Sequence, residues 1–284
     1  MLKQRIITAL ILLAILLPAL FYPSPEPFAL VALVLIAAGA WEWGRLNGCA
    51  PIPSLLVGGA CVVLCVGSWR MGWLHQSMPV LWSVAGASWV LGGAWLLRRG
   101  VAGWPAIPQV VRVIGGLLAL WLAWLAVAQA RVIGINFLLS VLLLVWVADI
   151  FAYFAGRAFG GKFSHGKLAP AISPGKSWEG VWGGMAGVLV LALVWVWADR
   201  FLQAGVPSFY GRLSLHGGWL LLIAVLFMAA MSVVGDLVES LIKRSAGVKD
   251  SSALLPGHGG VLDRVDALLP TLPLAMMLVT LGRS

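Results

Sequence analysis

The chain has 284 residues, of which 61% are hydrophobic and 10% are charged, and its mean hydropathy is +0.99. Soluble domains contain about 25% charged residues, so this composition excludes a soluble globular domain and indicates an integral membrane protein. The formal net charge of +9 does not indicate nucleic-acid binding, because the basic residues are spread along the chain and fit orientation signals and contacts with anionic membrane lipids.

Apolar segments long enough to cross a membrane recur along the whole chain. A span needs about 20 such residues, and eight clear segments are followed by a ninth that Pro270 and Pro273 are expected to kink. We therefore predict an all-α, polytopic membrane protein with about eight to nine transmembrane helices. The segments are 6–22, 27–44, 54–70, 79–97, 113–130, 135–155, 180–199, 218–238 and 266–282.

The first segment also resembles a cleaved signal peptide, since two cations precede a long apolar run. The sequence FYPSPEP that follows lacks a small-x-small cleavage site, which favours a retained helix. The three cysteines cannot all pair, and we predict neither a disulfide framework nor a zinc site.

The basic residues predict the orientation of the helices, because short cytoplasmic loops carry the excess of Lys and Arg. With a cytoplasmic N-terminus, fourteen of the nineteen lie inside and five outside. A multi-pass protein of the bacterial cytoplasmic (inner) membrane, with its C-terminus outside, is predicted. The inner residues are Lys3, Arg5, Arg45, Arg98, Arg99, Arg112, Arg157, Lys162, Lys167, Lys176, Lys243, Arg244, Lys249 and Arg264, and the outer ones are Arg70, Arg131, Arg200, Arg212 and Arg283.

The two halves of the chain differ in polarity. Residues 1–130 have Glu42 as their only acid after Glu26 and are predicted to form a transmembrane scaffold. From Asp149 onward, polar residues gather at the inner ends of the spans. Residues 131–284 are therefore predicted to carry the catalytic region, with its polar site on the cytoplasmic side, within one continuous membrane domain.

Asp149 lies deep within the apolar sequence LLLVWVADIFAYFAG. A carboxylate at this depth costs a few kcal/mol unless it faces a cavity or a partner. Asp149 is therefore a candidate site residue. The structural alternative is a carboxylate that stays protonated or pairs with a neighbour such as Arg157.

The sequence GDLVESLIKR places four polar residues at i, i+3, i+4 and i+7. If the eighth span continues as a helix, these residues lie on one face. An intrahelical ion pair is one explanation, but a site is favoured because the face emerges beside other polar loops. The residues are Asp236, Glu239, Ser240 and Lys243.

The sequence AISPGKSWEG at 171–180 is typical of a helix start, with Ser173 as the N-cap and Pro174 at the first helical position. Lys176 and the hydroxyls of Ser173 and Ser177 would then complete a phosphate-binding site. The glycines of GVWGGMAG, residues 180–187, are interpreted as helix packing, with a dimer contact as one version of it. Lys162, His165 and Lys167 are either headgroup contacts or orientation charges.

The sequence PGHGGVLDRVD at 256–266 combines a glycine turn with two aspartates at the start of the last helix. A helix cap explains Asp263 and Asp266, but it requires neither His258 and its two glycines nor Arg264. The three to five carboxylates on the inner side suit Mg²⁺, and the Lys and Arg residues suit phosphates. Together they predict a metal-dependent phosphoryl or nucleotidyl transferase acting on a membrane lipid.

The sequence SLIKRSAGVKDSSALLPGHGGVLDRVD, from Ser240 to Asp266, resembles the C-terminal signature of phosphatidate cytidylyltransferases. ISPGKSWEG resembles a second polar element of that family, with Ser177 in place of a more usual Thr. Length and span number fit along the whole chain, although the first half contributes only apolar similarity.

The resemblance implies transfer of the cytidylyl group of CTP to phosphatidic acid from the inner leaflet, giving CDP-diacylglycerol and pyrophosphate. It implies Mg²⁺, with a second, monovalent cation as an open question, and a homodimer. Asp263, Asp236 and Lys243 would be catalytic. The implied metal ligands are Asp263, Asp236, Asp266, Asp149, Glu239 and Asp250, and the implied substrate-binding residues are Ser173, Lys176, Ser240, Arg244, Lys249, His258, Gly259, Gly260 and Arg264. His258 is expected to shape its loop.

Two other functions remain compatible with the residue pattern. A CTP-dependent polyprenol kinase would attack the γ-phosphorus with an alcohol, and only the signature favours cytidylyl transfer over it. A cation transporter would use Asp149, Asp236 and Glu239 as an ion path, but the only acids placed outside are Glu26 and Asp199.

Overall fold

The computed structural model of the protein describes residues 2–164 and 166–281, without the side chains of residues 2 and 3. Nine spans in these ranges are long and apolar enough to cross a membrane, which confirms the predicted all-α, multi-pass fold. The predictions for His165 and Arg283, and for the side chain of Lys3, fall outside the described residues.

The elements follow one another with short connections, and a 3-10 turn, Trp73–His75, precedes the fourth helix. In chain order they are α1 (Leu2–Phe21), α2 (Glu26–Leu46), α3 (Pro51–Arg70), α4 (Pro79–Gly103), α5 (Gln109–Ile133), α6 (Ile135–Phe159), β1 (Lys167–Ala169), β2 (Ser173–Ser177), α7 (Trp178–Phe201), α8 (Phe209–Ser214), α9 (Gly218–Ser245), α10 (Leu262–Val265) and α11 (Leu268–Leu281).

The last span is interrupted, since the single turn α10 ends at Val265 and α11 begins at Leu268. Pro270 lies in the first turn of α11, where a missing backbone N–H leaves no hydrogen bond unmade. Pro273 lies within the same helix. The break therefore precedes both prolines and leaves Asp266 at the junction.

Glycines bring α6 and α7 into close contact. A methyl group at Gly180 would lie 3.0 Å from the carbonyl oxygen of Ala152, and one at Gly184 would lie 2.9 Å from that of Ala148. Small residues permit such approach of two membrane helices, so the predicted packing role of residues 180–187 is confirmed, and the partner is a helix of the same chain. Asp149 is thereby held close to the start of α7.

A second close contact joins α9 to the last span. A methyl group at Gly235 would lie 2.6 Å from the carbonyl oxygen of Asp266 and 2.8 Å from the ring of Pro270. Only glycine fits at this distance, because real Cβ atoms do not approach a backbone oxygen so closely. The contact places Asp236, the next residue, beside Asp266.

Candidate active site

The segment between α6 and α7 differs from the predicted helix start. Residues 173–177 form β2, which pairs antiparallel with β1 so that Ser177 is opposite Lys167. The prediction of Ser173 as an N-cap is wrong, because the backbone of residues 173–177 is extended and paired with β1. Ser177 takes that role, and its Oγ accepts a hydrogen bond of 3.2 Å from the backbone N–H of Gly180.

The hairpin carries Lys176 to the carboxylate of Asp236 on α9, with which it forms an ion pair. The pair lines a cavity of about 560 Å³ between α6, α7, β2 and α9. Asp149 opens into the same cavity, as expected of a carboxylate placed within a span. Arg157 does not pair with it, since its guanidinium donates to the hydroxyl of Tyr153 at 3.1 Å.

The polar face of α9 is confirmed. The Ser240 hydroxyl donates to Asp236 at 3.2 Å, and Lys243 pairs with Glu239 one turn before it. Lys243 also donates to Oδ1 of Asp263 at 2.6 Å. One lysine therefore joins α9 to α10. The segment between these two helices, residues 246–261, is called the signature loop.

Asp263 organises the signature loop through its second carboxylate oxygen. Oδ2 accepts hydrogen bonds from the backbone N–H of Gly260 at 2.7 Å and of Ser251 at 2.9 Å, and from the Ser251 hydroxyl at 3.0 Å. The bond that Asp263 accepts from Gly260, three residues earlier, resembles a helix cap. The bonds from Ser251 and Lys243 come from residues farther away in the chain. Asp263 is therefore the meeting point of α9, α10 and the loop.

Both glycines after His258 are required by geometry. Gly259 has φ +79°, and a Cβ there would lie 2.7 Å from Oδ2 of Asp263. A Cβ on Gly260 would overlap the Ser251 hydroxyl and the carboxylate of Glu42. The backbone must approach these carboxylates closely, which is a general use of glycine.

The surroundings of His258 fit its expected role in shaping the loop. Its backbone N–H donates to Leu255 at 2.8 Å, and its carbonyl accepts from Nε of Arg264 at 3.0 Å. The ring Nδ1 is buried without a hydrogen bond. Arg264 is itself exposed.

Sequence reasoning did not identify Glu42 as part of this region. Glu42 is fully buried on α2, and it accepts hydrogen bonds from the Val261 and Leu262 backbone N–H groups and from the Ser252 hydroxyl, at 2.6–2.9 Å. It shares the single hydroxyl proton of Ser251, at 3.1 Å, with Asp263. One signal was present in the sequence, because an acidic residue within an apolar span is costly, and this argument applies to Glu42 as it does to Asp149. Its four donors lie more than 200 residues away in the sequence, and only the fold reveals them.

Glu179 is a second residue that the sequence pattern did not single out. It is buried in the first turn of α7, and its Oε1 accepts from the backbone N–H groups of Phe163 and Ser164 and from the Ser164 hydroxyl, at 2.8–3.1 Å. It anchors the segment that leads from α6 to the hairpin.

Not every predicted residue is drawn into this cluster. Lys249, Asp250 and Arg244 are exposed, and the guanidinium of Arg244 reaches only the carbonyls of Ile172 and Val248, at 3.4 Å. Ser173 lies half-buried on β2. Arg244 thereby contacts both the turn of the hairpin and the signature loop.

The cluster has more acids than bases. Five carboxylates, those of Asp149, Asp236, Glu239, Asp263 and Asp266, share two lysines, Lys176 and Lys243, and those of Asp149, Asp236 and Asp266 are close enough to repel one another. Hard carboxylate oxygens in excess over the lysines are the type of ligand that a divalent cation prefers. Within the described residues no three His, Cys, Asp or Glu side chains already surround one point, so a bound cation would have to displace the lysines from their carboxylates.

Nearly the whole chain is similar to proteins of one known family. A sequence model described as the cytidylyltransferase family matches residues 3–281. A phosphatidate cytidylyltransferase of Pseudomonas aeruginosa is 39% identical over 277 residues, covering 96% of this chain and 95% of that protein. Proteins of the same name from Haemophilus influenzae and Brucella abortus are 36% and 34% identical, covering 96% and 94% of this chain and 96% and 89% of theirs.

Proposed function

The chain belongs to the cytidylyltransferase family, and we propose that it transfers the cytidylyl group of CTP to phosphatidic acid, giving CDP-diacylglycerol and pyrophosphate. The observation that supports this most directly is the junction at Asp263, where Lys243, Ser251 and Gly260 converge on one carboxylate. Lys243 and Asp263 meet through their side chains, and a Cβ on Gly259 or Gly260 would clash with Asp263 or with Ser251.

The reaction is a substitution at the α-phosphorus of CTP. A phosphate oxygen of the lipid forms the new bond, the bond to the β-phosphate breaks, and pyrophosphate leaves. Both reactants are anions, so cations must reduce their repulsion. Lys176 and Lys243 would supply positive charge within the cluster, and the exposed Arg244, Lys249 and Arg264 would supply more to the incoming phosphates.

Divalent-cation dependence is part of the proposal, and it rests on the surplus of carboxylates over lysines. Asp236 and Asp263 are the first candidate ligands, with Asp149, Glu239 and Asp266 beside them, while exposed Asp250 lies near Gly259. Bound Mg²⁺ would neutralise the triphosphate and the leaving pyrophosphate. A second, monovalent cation and a homodimer stay predictions from the family resemblance.

The proposed location is the cytoplasmic membrane, with the N-terminus and the site on the cytoplasmic side. The excess of Lys and Arg at that end supports this orientation. The cavity at Lys176 is bordered by Tyr153, which is 59% exposed at the surface of the bundle. A lipid phosphate would then reach the site from the inner leaflet while its acyl chains stay in the bilayer.

The decisive experiment uses purified protein in detergent with phosphatidic acid, Mg²⁺ and CTP labelled on either the α- or the γ-phosphate. Label from the α-position in lipid, with release of pyrophosphate, is the expected result. Label from the γ-position on an added polyprenol would instead identify a kinase. Absence of transfer by a folded sample would overturn both, and titration with EDTA and then Mg²⁺ tests the cation in the same assay.

A further inference from the structure

A large apolar groove lies on the other side of α9 from the candidate active site. It has a volume of about 510 Å³, within the range of ligand sites. It runs between α4 and α5, which are consecutive in the chain but pack on other helices: α4 on α9 and α11, and α5 on α2 and α11. Val238 and Ile242 of α9 form part of its floor.

The groove is separate from the carboxylate cluster. Successive residues of an α-helix are rotated by about 100°, so Val238 lies about 200° from Asp236. Val238 therefore faces away from Asp236, and Ile242, six residues after Asp236, lies about 120° from it around α9. A molecule in the groove and a molecule at the cluster do not compete for the same space.

One end of the groove is positively charged. Arg112 lines it, with a buried Nε that has no hydrogen-bond partner, and its guanidinium lies 5.9 Å from the ring of Trp104. Arg99 stacks at 4.5 Å on Trp95, which also lines the groove. Among the described lining residues none is acidic, so the groove joins an apolar channel to an unneutralised cationic end.

This charged end is level with the active site. The indole of Trp43 donates to the carbonyl of Arg112 at 3.0 Å, and the preceding residue, Glu42, holds the signature loop. Arg112 therefore lies at the end of the bundle that carries the cluster, at the depth where lipid headgroups meet the same membrane face.

Four glycines line the groove, and two of them, Gly92 and Gly115, keep it open. The other two serve packing, because a methyl group at Gly116 would overlap the indole of Trp43 and one at Gly93 would lie 2.8 Å from Val234. Gly92 and Gly115 also line the groove, but a methyl group on either would meet nothing within 4 Å. Close packing within the chain does not explain them.

We propose that this groove binds an anionic diacyl phospholipid of the surrounding membrane, with an acyl chain between α4 and α5 and its phosphate at Arg112. The apolar lining of the groove suits an acyl chain, and the guanidinium of Arg112 would pair with the phosphate through charge-assisted hydrogen bonds. The lipid is a resident one, distinct from the substrate at the cluster.

The test uses the full chain in phosphatidylcholine nanodiscs that contain phosphatidylglycerol with a diazirine on one acyl chain. After photolysis, mass spectrometry maps the labelled peptides. We expect labelling of residues 81–96 and 111–122, and a decrease of about tenfold in Gly115→Phe, because a phenyl group fills the space. Gly92→Phe should act in the same way from the opposite wall. Gly59→Phe is the matched control, since Gly59 is exposed on α3 and a methyl group there meets nothing within 4 Å.

Arg112→Gln should remove the preference for this probe over a phosphatidylcholine probe of the same chain. Asp263→Asn, which has no catalytic carboxylate at position 263, should label like the wild type, so this result is independent of the reaction assay. Equal labelling in Gly115→Phe and Gly59→Phe, or equal labelling by the two probes in the wild type, would overturn the proposal. The proposal would also be overturned if the wild type were a dimer without labelling in the groove and Gly115→Phe were a monomer. A second copy of the chain would then cover the groove.

Discussion

The carboxylate of Glu42 accepts a hydrogen bond of 2.6 Å from the hydroxyl of Ser252, 210 residues later in the chain. The same carboxylate receives the backbone N–H groups of Val261 and Leu262. An N-terminal helix thus fixes the loop that carries the family signature. The predicted scaffold therefore acts directly on the geometry of Asp263.

Glu42→Gln should impair turnover while the protein still inserts and folds. In the variant, an NH₂ group replaces one carboxylate oxygen and cannot accept the hydrogen bonds that this oxygen accepts in the wild type. Each buried donor left unsatisfied costs about 1–3 kcal/mol. We expect kcat to fall more than the KM for CTP changes, and proteolysis within residues 246–261 to become faster. Glu26→Gln is the control, because Glu26 lies at the other end of α2 and is exposed. Equal rates of turnover and proteolysis in the two variants would contradict a role for Glu42 in holding the loop.

Gly259→Ala should abolish activity, whereas Gly247→Ala should retain it. Both glycines have positive φ, +79° and +72°, so both variants bear a similar backbone strain of about 1–2 kcal/mol. Only at Gly259 would the new methyl group meet Asp263, since nothing lies within 4 Å at Gly247. Thermal unfolding in detergent measures the shared strain, and cytidylyl transfer measures the difference. Similar activity in both variants would show that crowding at Asp263 does not matter.

Lys176→Gln should lower kcat/KM for CTP by about 10- to 100-fold, because a hydrogen bond from a charged group contributes about 1.5–3 kcal/mol. Lys176 pairs with Asp236 inside the cavity. Lys167→Gln, on the opposite strand of the same hairpin, is the matched control, because Lys167 is exposed and has no ion pair among the described residues. A loss of the same size in the control would assign the effect to the hairpin as a whole.

Asp263→Asn should reduce cytidylyl transfer by about 10³-fold or more, as expected for a group at the centre of charge stabilisation. Asn keeps the shape of the side chain but cannot balance Lys243 or bind a divalent cation in the same way. Asp199→Asn serves as the comparison, since Asp199 binds Ser208 and Asn136 far from the cluster. It should lower the unfolding temperature and leave kcat of the folded fraction unchanged. Full activity of Asp263→Asn would remove Asp263 from the site.

Several parts of the site were predictable because their residues are close in sequence. The spacing of Asp236, Glu239, Ser240 and Lys243 defines one helix face, and the structure confirms it. The prediction of an N-cap at Ser173 was wrong because it used only neighbouring residues. The sequence 173–177 satisfies the rules for a helix start, but these residues pair with a separate segment, 167–169, and form a strand. Ser177 starts the helix instead.

The sequence by itself determined the membrane class, the number of spans and the set of charged residues available for chemistry, because hydropathy and helical spacing are local properties. Only the tertiary structure decided which charges meet. Lys176 reaches Asp236, Lys243 reaches Asp263, and Glu42 reaches the signature loop, because α9 lies between the hairpin and the last span, and glycines allow the helices to approach. These pairings depend on packing between segments that are distant in the chain, and local sequence patterns carry no information about such packing.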